Sequence, residues 1–163
     1  MAISDSLISE LKHEVIATRK VLERVPDDRL TWKPHQKSFS FIQLASHVAT
    51  IPEWVEPTLN QDEMVLPDNY KPWIGTSSAE LVEKFDKAAS AAIEHLSGYP
   101  DEAMMKLWVL RGEEEVFFTL PRVAVLRSFV MNHLVHHRGQ LSIYLRLNDI
   151  PIPAIYGPSA DEF

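Results

Sequence analysis

Leu7, Leu11, Val15, Thr18 and Leu22 recur at steps of three and four with charged residues between them, which predicts an amphipathic helix from about Ser4 to Val25. Pro26 and Pro34, within "PDDRLTWKPHQKSFS", interrupt the pattern and predict a connection. Ser40 can accept a free backbone N–H of a first turn, and Phe41, Leu44, Val48, Ile51 and Val55 then share one helical face in "FIQLASHVATIPEWVEPTLN". Pro52 should kink or end this second helix. Residues 60–76, with Pro67, Pro72 and Gly75, read as a loop. Ser77 or Ser78 caps a third helix, "AELVEKFDKAASAAIEHLSG", closed by Gly98 and Pro100. The period changes over 105–120, where two β-prone runs flank "RGE" and predict a short hairpin. Pro121 opens a fourth helix to about Asn148, and three prolines and a glycine in "DIPIPAIYGPSADEF" predict an extended tail. The expected fold is therefore all-α: a four-helix bundle forming a single domain over residues 1–163, with a long connection carrying the hairpin.

Composition narrows the classes of function. The chain is 45% apolar and 24% charged, as in ordinary globular proteins, and its net charge of −7 would repel a phosphate backbone, so no nucleic-acid partner is expected. There is no cysteine, which excludes disulfides, thiolate metal ligands and a cysteine nucleophile. The N-terminus lacks the basic segment and apolar run of a signal peptide, and no uncharged apolar stretch reaches membrane-spanning length. A cytoplasmic location without a membrane partner is the expectation.

The candidate chemistry lies in "NHLVHHRGQL", where three of seven histidines fall within five positions. Residues four apart on a helix differ by about 40° in angle and about 6 Å along the axis, so two such imidazoles can grip one metal ion. His133 and His137 have that spacing; His133 and His136, three apart, are a rival pair. Leu126, Val130, His133, His137, Leu141 and Tyr144 follow an inward seam, whereas the stripe through His136 is more polar and reads as a flank. His47 shares a stripe with Leu44, Ile51 and Trp54, so an inward histidine of the second helix can face two of the fourth. His13, His35 and His95 read as solvated. Gln140 and Glu53 are candidates to orient the imidazoles, and Arg138 is either a carboxylate-binding group or a surface salt bridge.

"SFSFIQLASHVAT" and "NHLVHHRGQLSIYLRLNDIPIPAIYGPSADEF", preceded by "LERVPDDRLTWKPHQKSFS", resemble the DinB-like (DinB/YfiT-like) family of metal-dependent enzymes over nearly the whole chain. The resemblance implies a four-helix bundle, often a homodimer, with a divalent metal held by one histidine of the second helix and two of the fourth. By motif position these are His47, from "ASHVA", and His133 and His137, the first and last of "HLVHH". Zinc suits three imidazoles, and nickel, iron and manganese also fit. Relatives include thiol-dependent S-transferases and a mycothiol-dependent isomerase. The expected function is a metal-dependent transferase or hydrolase acting on a small molecule, with a low-molecular-weight thiol as one candidate substrate. The alternative is a non-catalytic dimeric bundle that binds metal or protein partners.

Overall fold

The computed structural model describes residues 2–162. Helix α1 (Ile3–Leu22) starts where Asp5 accepts the Ala2 N–H at 3.2 Å and Asp101 accepts the Ile3 N–H at 2.8 Å, satisfying first-turn donors. After a 3₁₀ turn at Asp27–Arg29, α2 (Phe41–Thr50) opens with a reciprocal cap. Ser40 N–H donates to Gln43 at 2.9 Å, and Gln43 N–H donates to the Ser40 hydroxyl at 3.4 Å. The kink expected at Pro52 is a 3₁₀ turn, Ile51–Trp54, leading into the short α3 (Val55–Asn60). Strand β1 (Glu63–Val65) follows. Helix α4 (Ser78–Leu96) is capped by Ser77, whose hydroxyl accepts the Glu80 N–H at 3.2 Å, and beyond it Gly98 takes a φ of +69°. A single turn, α5 (Asp101–Met104), leads to β2 (Leu107–Arg111) and β3 (Val116–Pro121). The final helical stretch begins as α6 (Arg122–Val125), passes through a π-helical turn (Leu126–Asn132) and continues as α7 (His133–Leu147).

Helices α1 and α2 each pack against both α4 and α7. Their shared core holds Leu11, Val21 and Leu22 of α1, Phe41, Leu44 and Val48 of α2, Leu81 and Phe85 of α4, and Leu134, Leu141 and Leu145 of α7. A second cluster, Trp108, Leu110 and Val125, seats the sheet, with Phe118 and Phe129 packed on it. Trp108 is fully buried, and its indole N–H donates to the Pro57 carbonyl at 3.1 Å.

Helix predominates, but the all-α expectation needs correction. The hairpin is present as β2 and β3, with an irregular register at Leu110/Arg111, and β1 joins it in the order β1-β2-β3. Strand β1 runs parallel to β2, with Glu63 opposite Val109. In "EMVL" only Met64 and Leu66 turn partly inward, too few positions for a period of two to stand out within a loop. The tail also differs from a plain extended segment. Arg24 donates to the Pro151 carbonyl at 2.7 Å and pairs with Glu162, and Asp161 accepts from Arg146 at 2.5 Å and from the Ile152 N–H at 2.9 Å, so it folds back as a hook. Among the described residues no helix is long and apolar enough to cross a membrane.

Candidate metal centre

His47 leaves α2 near its C-terminal end, and His133 and His137 stand one turn apart at the start of α7. Packing of α2 on α7 brings the three together. The ring centroids are 4.8 Å apart for His47 and His133, 4.6 Å for His47 and His137, and 4.6 Å for His133 and His137. One ring nitrogen from each lies within 4.8 Å of the others. The Nε2 atoms of His47 and His133 are 3.0 Å apart, close to the separation of about 3.3 Å expected for two nitrogens on one tetrahedral zinc ion.

The ring orientations are set from behind. His133 Nδ1 lies 3.3 Å from the Phe129 carbonyl, and His137 Nδ1 lies 2.7 Å from the side-chain oxygen of Gln140. Each acceptor favours a proton on Nδ1, leaving the Nε2 lone pair to face the cluster. The Phe129 carbonyl belongs to the π-helical turn, in which the backbone N–H of His133 bonds the Val130 carbonyl instead. Gln140 is thus one of the two expected orienting residues found in place. Glu53 is not: its carboxylate pairs with Lys84 at 2.6 Å.

Burial favours the neutral form of all three imidazoles. Burial pushes His47 down to about 4, and the neighbouring His137 and His133 add to the effect. Burial also lowers His133, opposed by its bond to Phe129, and lowers His137, opposed by its bond to Gln140. Neutral imidazole is the form that ligates a metal, so the donor set fits a divalent cation.

Some expectations change in detail. His133 and His137 are half-buried at the edge of the α7 seam, whose centre runs through Leu134, Leu141 and Leu145. His136 is exposed, in keeping with a flank. His13 and His35 are exposed and His95 lies beside Asn60 at 3.3 Å; none joins the cluster. Arg138 is neither a ligand-binding group at the surface nor a surface salt bridge. It is 1% exposed, and its guanidinium donates to Glu14 at 2.6 Å, to Thr18 at 3.2 Å and to the Tyr156 hydroxyl at 2.6 Å. A cavity of about 440 Å³ lies beside His137, walled by residues of the first connection, Leu44 of α2 and residues of α7.

Comparison with known proteins agrees with this architecture. An uncharacterized protein, YrdA of Bacillus subtilis (strain 168), is 21% identical over 160 residues, covering 98% of this chain and 91% of its own. The crystal structure of a DinB-like protein from Bacillus cereus ATCC 10987 superposes with a TM-score of 0.72 at 22% identity, over 93% of this chain and 97% of the other. A DinB-like protein of Bacillus subtilis, YjoA, gives a TM-score of 0.69 at 17% identity, over 91% and 95%. At these identities the structures speak for the fold alone. The model of the DinB family matches residues 3–162, nearly the whole chain, and the protein belongs to that family.

Proposed function

We propose that this protein is a divalent-metal-dependent enzyme that transfers or hydrolyses a group at a thiol or electrophilic centre of a small molecule. The observation that carries the reading is the convergence of three imidazoles, from two helices, with His137 also lining an open cavity. His47, His133 and His137 would hold the ion. A bound divalent ion supplies Lewis acidity, bringing the pKa of a coordinated water to about 7 or favouring the thiolate of a substrate thiol.

The protein's own residues supply the rest. Gln140 and the Phe129 carbonyl, as acceptors beside Nδ1, favour the Nδ1–H form of two imidazoles and turn their Nε2 atoms toward the cluster. The three imidazoles are half-buried, and His137 is the one that lines the cavity. Because the chain has no cysteine, any thiolate must arrive on a small cosubstrate. Zinc is the ion this donor set favours, with nickel, iron and manganese as competitors. The same reading takes the four long helices as a four-helix bundle and the working form as a cytoplasmic homodimer without nucleic-acid partners.

The test is metal analysis of protein purified without a histidine tag, comparing wild type with His47→Ala, His133→Ala and His137→Ala. A stoichiometric ion in the wild type and its loss in each variant is the expected result. Equal, negligible metal in all four proteins would sink the reading.

A further inference from the structure

We propose that the cavity beside His137 binds a small organic anion with an apolar body, with Lys37 holding its charge at the rim. This rests on the metal-dependent reading above and names the class of substrate that site would take.

The cavity of about 440 Å³ is in the range of small-molecule sites and lies between the first connection and α7. Its apolar wall is Phe39, Leu44, Ile143 and Tyr144. Phe39 and Ile143 are 51% and 57% exposed, large apolar side chains left in water next to the histidine cluster. Phe39 also sits edge-on to His47, with ring centroids 6.3 Å apart, so an occupant lying on Phe39 is brought to the cluster.

The polar lining is one-sided. No carboxylate lines the cavity, although acidic residues outnumber basic ones by 23 to 16 in the chain. Lys37, Ser38 and Gln140 line it instead. Among the described residues no ion pair involves the Lys37 ammonium, and the Gln140 oxygen that faces His137 leaves the amide NH₂ as the group free to donate. Three donors around an apolar wall suit a carboxylate or another compact anion, and they leave a cation without a counter-charge.

The wall is also built in advance. Lys33 donates to the Gln36 carbonyl at 3.0 Å, the Ser38 N–H donates to the His35 carbonyl at 3.0 Å, and the Tyr144 hydroxyl donates to the Phe39 carbonyl at 3.1 Å. The last bond ties the connection to α7, so little ordering is needed when a ligand enters.

The experiment titrates the full-length protein, zinc-loaded and zinc-free, with phenylacetate and with uncharged 2-phenylethanol, following backbone amide NMR signals of Phe39, Gln140 and Ile143. Phenylacetate should shift these signals and bind the alcohol's site more tightly, and Lys37→Met should weaken it by about three- to fivefold, the size of one exposed charge pair. Ile143→Asp, which places a carboxylate in the cavity at an exposed position, should abolish phenylacetate binding. Equal affinity for acid and alcohol, no loss in Lys37→Met, or no shift at these amides overturns the proposal. Zinc uptake by the same samples is read separately. Uptake without a phenylacetate response removes the anion site and leaves the metal centre standing. A Lys37-dependent phenylacetate response without zinc uptake does the reverse, leaving an anion site and removing the metal-dependent reading.

Discussion

Replacing Arg138 by alanine tests how far α7 depends on a buried charge next to its histidines. The guanidinium is 1% exposed and the Glu14 carboxylate 8%, so neither can turn to water when the other is removed. Truncation takes away the 2.6 Å bond to Glu14 and the bonds to Thr18 and the Tyr156 hydroxyl. The Tyr156 hydroxyl, which lies 2.9 Å from one Glu14 oxygen and 3.0 Å from the other, still donates to the carboxylate and softens the loss. Breaking a buried pair by removing one partner typically destabilises by about 3–5 kcal/mol, and the surviving tyrosine bond places this case near the lower end, about 3 kcal/mol. In a chain of this length that is a fall in Tm of about 6–12 °C. Urea denaturation of the metal-stripped protein, followed by circular dichroism, measures it. Arg138→Met combined with Glu14→Gln should recover more than half of the loss, because the stranded charge is then gone. A single-variant loss below about 1 kcal/mol, or strict additivity in the double variant, refutes the idea that this pair is held out of water.

Other outcomes follow from the same structure. Gln140→Ala should weaken zinc binding by about 10- to 100-fold in competition with a chromogenic chelator, while Glu53→Ala and His136→Ala leave it within error. The metal-free protein should lose stability in acid. His47 titrates near 6.5 when unfolded and near 4 in the fold, so the unfolded chain binds more protons between those values. Its contribution is therefore full above pH about 6.5 and declines as pH falls toward 4, and melting curves of His47→Ala across this window should be flatter. Trp108→Phe keeps an aromatic ring but removes the donor to the Pro57 carbonyl, so urea unfolding should show a loss of about 1–3 kcal/mol.

The helical periods and the capping residues were the most readable part of the chain. Ser40 before α2, and Ser77 of the two serines before α4, mark helix starts that the structure keeps, because such caps act through bonds only three residues long. Spacing offered two histidine pairs on the last helix, the inward seam favoured His133 with His137, and the family resemblance supplied the full set with His47. What spacing could not supply was depth. His133 and His137 sit half-buried at the margin of the seam, and α1 meets α7 at Arg138 through Thr18, a partner 120 residues away. Arg138 was misread for the same reason: a lone arginine suggests solvent, and its burial depends on Glu14 and Tyr156 arriving from the two ends of the chain. Strand β1 was hidden because its partner β2 lies more than forty residues on and contributes the pattern that β1 lacks.

The π-helical turn at Leu126–Asn132 sets where the histidine pair points, apart from its chemistry. Such a turn accommodates one residue more than an α-helix would over the same rise. Deleting a single residue there would restore an unbroken α-helix and leave Leu134, Leu141 and both histidines facing as they do, because the turn absorbs the extra residue. The same number of residues wound as a regular α-helix would instead rotate everything downstream by about 100° and aim the histidines away from His47. Relatives that keep both histidines are therefore expected to carry either this turn or one residue fewer between Pro121 and His133.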